Sequence, residues 1–180
     1  IRILAGEEPL PGGESLVDRY SPESREKVRG FLTQRLQELG LSVARESGLK
    51  GAENVVAEIP GTEKPEIVLE LSAHFDSVFS EMPGADDNGS GVAAVLETAR
   101  ILRELPPKVT VRIVFTDLEE HGFWGSKAHV QGLKRRGEKI AGAVVVDMIG
   151  YHPETNDPSR ELDIELGCEW MIPDPEALWL

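Results

Sequence analysis

The chain has 180 residues, 40% of them hydrophobic, which suits a single domain with its own core. Its 32 acidic residues against 19 Lys and Arg give a formal net charge of −13, which argues against a nucleic-acid partner, because phosphate binding needs clustered cations. A lone cysteine, Cys168, excludes an intrachain disulfide and reads as a small apolar filler, without fixing the compartment.

No apolar run reaches the roughly 18 to 20 residues that a membrane helix needs. The sequence starts at Ile1, with neither Met nor a signal peptide, which reads as a processed or excised piece. The first helix is predicted over Pro22–Leu39. Ser21 is its N-cap, Pro22 its first residue and Gly40 its stop, and Val28, Phe31, Leu32, Leu36 and Leu39 recur at helical spacing. Asn54–Ile59 is a Val/Ile-rich strand ended by Pro60-Gly61, and Ile67–Ala73 is a second apolar strand stopping at His74. Gly89–Leu105 is a helix with Val92, Val95, Leu96, Ala99, Leu102 and Leu105 inward, stopped by Pro106-Pro107. Val109–Thr116 is a β-branched strand, and Ser126–Arg135 is a helix with a basic last turn. Ala141–Met148 is nearly continuous apolar, as in a strand covered on both faces, and Leu162–Leu166 is one more strand. Strands alternating with helices predict a three-layer α/β sandwich with a mostly parallel mixed sheet.

The chemistry gathers where apolar strands end. His74-Phe75-Asp76 follows the second strand, Asp117-Leu118-Glu119-Glu120 follows Thr116, and Asp147 ends the strand from Ala141. In open α/β sheets the carboxyl edge of the strands is where ligands bind. The glycine-rich loop Pro83–Gly91, carrying Asp86-Asp87-Asn88, opens the next helix and lets the backbone come close to a site. Acids at one edge repel unless a cation joins them, and one His among carboxylates fits a borderline divalent ion such as zinc better than an oxygen-only ion. In His-x-Asp the acid can accept the other ring N–H of the histidine. Of the Glu119-Glu120 pair, one can bind metal while the other reaches a water. Each piece alone has a bland reading as a turn, cap or solvated face; their order and placement after strands carry the functional one. Gly84 to Gly89 has the outer spacing of a phosphate loop, but Ser90 stands where its Lys is required. Asn88-Gly89-Ser90 fits a glycosylation acceptor, but a glycan there would obstruct the site.

Five segments in order resemble the co-catalytic zinc aminopeptidases, the family of bacterial leucyl aminopeptidase, the Streptomyces-type enzyme and aminopeptidase Y. They are Ser72–Ser77, Pro83–Gly91, Phe115–Gly122 with Gly125-Ser126, and Val146–Gly150, preceded by Asn54–Gly61. The resemblance implies a phosphorylase/hydrolase-like zinc exopeptidase fold, two zinc ions, and a peptide substrate with a free amino terminus. It implies that His74 and Asp147 hold one zinc, that Glu120 holds the other and that Asp87, rather than Asp86, bridges them. Glu119 would then be the general base and Asp76 would orient His74, with a cis peptide at Asp76-Ser77. Family habit favours a secreted or periplasmic location.

The resemblance also implies a fifth ligand, a His well downstream of Asp147. The histidines are His74, His121, His129 and His152. His121 reads as a surface or supporting residue, His129 as an ordinary helical residue, and His152 comes too soon. The expectation is therefore a single catalytic domain over residues 1–180 that stops early, lacks later strands and helices, and is prone to aggregate at its open sheet edge. Competing readings are a single-zinc glutaminyl-peptide cyclotransferase of the same fold, a dinuclear carboxypeptidase, and a non-catalytic binding domain.

Overall fold

A computed structural model describes residues 1–150. The predicted strand Leu162–Leu166, together with His152 and Cys168, lies outside the described residues. Three helices, α1 (Pro22–Glu38), α2 (Gly89–Glu104) and α3 (Trp124–Arg136), flank five strands, β1 (Val43–Ser47), β2 (Glu53–Ile59), β3 (Lys64–His74), β4 (Val109–Thr116) and β5 (Gly142–Val145). The strand order is β1-β2-β4-β3-β5. β3 pairs in parallel with both β4 and β5, whereas β2 is antiparallel to β1 and β4, so β2 alone runs against the other strands.

Local signals account for the helix ends. The Ser21 hydroxyl accepts the Ser24 N–H at 3.0 Å at the start of α1. Gly40, in the left-handed region at φ +74°, closes the same helix, its N–H reaching Gln37 O at 2.8 Å. The Asn88 side chain caps α2 through the Gly91 N–H at 3.0 Å.

Side-chain alternation gives the sheet two unlike faces. On one, Val55, Ala57, Ile59, Ala73, Ile113 and Phe115 meet Val28, Leu32 and Leu36 of α1 and Val92, Val95 and Ala99 of α2 in a continuous apolar core. Each large side chain buried here is worth about 1.5–3 kcal/mol over its exposed state. The other face is polar. Arg112 of β4 stands opposite Glu58 of β2 and Glu70 of β3 in the ladder. It pairs with Glu58 at 2.7 Å, Glu70 at 3.0 Å and Glu138. His129 of α3 completes this layer, with Nδ1 2.7 Å from Glu46 and Nε2 3.0 Å from Glu70. Charge dominates the fastening of α3, beside buried Ala128 and Leu133, and apolar contact dominates that of α1 and α2.

Two expectations change in detail. β5 is four residues, shorter than the predicted Ala141–Met148, and all of it is only half-buried or exposed; it pairs with β3 on one side alone among the described residues. The strand β1 was not predicted: Val43–Ser47 is an edge strand with no fully buried position, so it carries no apolar alternation.

Candidate metal centre at the sheet rim

Register brings the strand ends together. His74 is the partner of Thr116 across the β3–β4 ladder, and Ser72 is the partner of Val145 across β3–β5. Because these strands are parallel, the residues just beyond Thr116, His74 and Val145 emerge on one rim. His74, on the middle strand, therefore stands between Glu119-Glu120 and Asp147.

The loop after β4 is held from beneath. Asp117 is fully buried, and its carboxylate takes Arg25 Nε and Arg29 Nη1 of α1 at 2.9 Å each. It also accepts the N–H of Glu53 at 3.0 Å and of Leu118 at 2.9 Å. Leu118 sits at φ +52°, a left-handed conformation that costs a branched apolar residue about 1–2 kcal/mol and turns the chain sharply before the two glutamates. Asp76 then accepts the main-chain N–H of Glu119 at 3.0 Å and of Glu120 at 3.2 Å. Sequence reasoning gave Asp76 only to His74, whose Nδ1 lies 3.5 Å from it; the grip on the glutamate loop had no sequence signal.

The glycine-rich loop separates the adjacent acids. Asp86 is engaged with the Gly150 N–H at 2.7 Å, while Asp87 Oδ1 lies 3.2 Å from His74 Nε2. Asn88 is fully buried and donates to Val146 O at 2.8 Å, tying this loop to β5, and the burial closes it to glycosylation. The cis peptide among the described residues is Asp87-Asn88, not the expected Asp76-Ser77. Ser77 is instead anchored in a trans chain, its N–H reaching Arg19 O at 3.3 Å and its hydroxyl accepting the Arg19 N–H at 3.1 Å.

Two donor sets share His74. His74, Asp87 and Asp147 form one and His74, Glu119 and Glu120 the other, with the donor atoms of each set within 4.8 Å of one another. Asp147 Oδ1 lies 3.5 Å from His74 Nε2. The cluster strains its own titration. Burial works against the charged form of His74, but Asp147 and Asp76 raise it to about 10. Burial and the neighbouring Asp87 carboxylate push Glu120 up to about 7. Burial likewise raises Glu119, opposed by His74 and reinforced by the surrounding acids. Glu120 Oε1 is buried without a hydrogen-bond partner, as is His74 Nδ1 on the Asp76 side of the ring. A buried carboxylate oxygen without a partner, inside a knot of acids around one imidazole, fits a divalent cation of the zinc type. His121 and His129 lie outside both sets: His121 meets Tyr20 edge-on with ring centres 5.2 Å apart, and His129 is buried between α3 and the sheet.

Fold and site together define a hydrolase-like α/β scaffold with a carboxylate–histidine cluster at its ligand-binding rim. Residues 54–165 match Peptidase family M28, more than half of the 180-residue chain, and the chain belongs to that family. Aminopeptidase YwaD of Bacillus subtilis is 34% identical over 140 residues, covering 77% of this chain and 27% of YwaD. The crystal structure of LapA from Legionella has a TM-score of 0.72 at 24% identity, over 80% of this chain and 43% of LapA. A glutaminyl cyclase from an Acidobacteriales bacterium has a TM-score of 0.63 at 22% identity, over 75% of this chain and 54% of that enzyme. The chain thus spans about a quarter of the Bacillus relative it matches. No described helix is long and apolar enough to cross a membrane.

Proposed function

We propose that this chain carries most of the catalytic domain of a zinc aminopeptidase, with His74, Asp87, Glu120 and Asp147 as metal ligands, Asp87 shared between two ions, and Glu119 as the general base. The observation that carries the reading is the position of His74 Nε2, within 3.2 Å of Asp87 and 3.5 Å of Asp147, on a rim where Glu119 and Glu120 also converge. Bound zinc would supply Lewis-acid polarisation of the scissile carbonyl and a water acidic enough to attack it at neutral pH.

The chain's own residues do the rest. Glu119 and Glu120 follow each other on an irregular turn, and a carboxylate oxygen of each lies within 4.8 Å of the other and of His74: Glu120 holds metal and Glu119 takes the proton of the attacking water and passes it to the leaving amine. The raised proton affinity of Glu119 suits a group that must gain and return a proton. Asp76 fixes both glutamates through their N–H groups and stands beside the inner nitrogen of His74. A peptide with a free amino terminus is the substrate class that the matched aminopeptidase from Bacillus supports.

The test is a zinc titration of the chain, followed by assay of an aminoacyl anilide with and without an acetylated amino group. Zinc uptake with cleavage of the free-amine substrate alone is the expected result. Uptake of a single ion with cyclisation of an amino-terminal glutamine would favour the cyclotransferase reading, and cleavage from the carboxyl end would favour the carboxypeptidase one. No zinc uptake would leave the binding-domain reading.

A further inference from the structure

Arg19 is the largest fully buried side chain among the described residues, and it lies in the segment before α1, far in sequence from every ligand. A guanidinium has five N–H donors in a fixed plane. All five are spent on main-chain carbonyls. Nε donates to Phe75 O at 2.7 Å, Nη1 to Leu4 O at 2.8 Å and Pro83 O at 2.5 Å, and Nη2 to Gly84 O at 2.7 Å and Asp87 O at 3.2 Å. Arg19 therefore bolts the Pro83–Asp87 loop to the end of β3, one residue from His74.

Its charge is the second observation. Among the described residues no carboxylate lies within ion-pair distance of the guanidinium, so no direct partner neutralises it. The acids that act on it through space are Asp76, Asp87 and Asp18. A third observation concerns fit: a Cβ on Gly84, which sits at φ +57°, would come within 2.5 Å of Arg19 Nη2 and 2.3 Å of Asp87 O. The loop has room for the guanidinium and for nothing more.

We propose that Arg19 is a positioning residue for the metal centre, which sets the Asp87 carboxylate beside His74 and offsets the mutual repulsion of the acids from below. The inference rests on the metal-centre reading above. Arg19→Lys keeps the charge, but an ammonium has three donors and cannot serve five carbonyls in one plane. Gly84→Ala leaves Arg19 intact, and its Cβ meets both Arg19 Nη2 and Asp87 O, so it displaces the loop at the guanidinium and at Asp87 together.

The experiment is equilibrium dialysis of zinc against the unmodified chain, Arg19→Lys and Gly84→Ala, with circular dichroism to measure the folded fraction of each. Both variants are expected to remain folded at room temperature and to bind zinc about 10- to 100-fold more weakly, the range seen when groups supporting metal ligands are removed. Arg19→Ala with added methylguanidinium is expected to recover part of that affinity at a constant folded fraction, which a role confined to stabilising the fold would not produce. Should the unmodified chain take up no zinc, the metal-centre reading falls and this inference with it. Unmodified zinc affinity in a folded Arg19→Lys or Gly84→Ala chain overturns the role of Arg19 alone, as does zinc loss that merely follows loss of folded protein.

Discussion

Asp76 Oδ1 accepts the main-chain N–H of Glu119 at 3.0 Å, so an acid at the end of β3 fixes a glutamate delivered by β4. Asp76→Asn keeps the shape but turns one acceptor into a donor facing an N–H group. The expected outcome is a roughly 10- to 100-fold loss of zinc affinity with the chain still folded. Dialysis and a thermal melt check it; unaltered zinc binding would contradict the positioning role.

Glu119→Gln separates proton transfer from metal holding. Turnover of an aminoacyl anilide is expected to fall about 10²- to 10⁴-fold, with zinc content unchanged. If zinc is lost in parallel with activity, Glu119 is a ligand and the division of labour within the pair is reversed.

Asp117 is expected to matter to stability before it matters to chemistry. Removing its carboxylate leaves Arg25, largely buried, without a counterion and Arg29 with only Glu26 and Glu53. Asp117→Ala is expected to cost about 3–5 kcal/mol, the range for breaking a buried ion pair from one side. Urea unfolding measures it, and a cost below about 1 kcal/mol, the range of an exposed pair, would show that the buried network is dispensable.

The His129 clasp predicts a pH dependence. Burial disfavours its imidazolium, but Glu46 and Glu70 outweigh this and raise it to about 9 from an ordinary value of 6.5. A folded-state affinity for the proton above the unfolded one stabilises fully below pH 6.5 and is lost as pH rises through about 9. The loss is on the order of 3 kcal/mol at its fullest. Urea midpoints of the unmodified chain and of His129→Gln across that window check it: the gap between them is expected to close at alkaline pH, and a gap that stays constant would count against the clasp.

Much of the fold was legible because its elements carry strong local signals. Ser21-Pro22 and Gly40 bound α1, Val109–Thr116 is a strand from end to end, and Val92, Val95 and Ala99 of α2 are buried as expected, whereas Leu105, expected inward, lies past the helix end and is exposed. The site was legible for a related reason: parallel strands of known direction send His74, Glu119, Glu120 and Asp147 to one rim whatever the loops do. What escaped was set by tertiary contact. β1 has no apolar pattern because it is an edge, and the first three residues of β3, Lys64-Pro65-Glu66, fell outside the predicted Ile67–Ala73 because they are exposed and lie at a register shift. Arg19 looks like any surface cation in a polar stretch; only the folded chain shows the five carbonyls around it.

The two faces of the sheet make the molecule a laminate of unlike materials. The α1–α2 side is bonded by apolar contact, which weakens on cooling and strengthens with excluded salts such as sulfate. The α3 side is bonded by Arg112, His129 and their glutamates, with Arg112, Glu70 and His129 so enclosed that dissolved ions barely reach them. Chilling therefore slackens one lamina and spares the other. The turn bearing Glu119 and Glu120, strung between β4 and α3, is tied to both laminae: to α1 through Asp117 with Arg25 and Arg29, and to α3 by the chain itself.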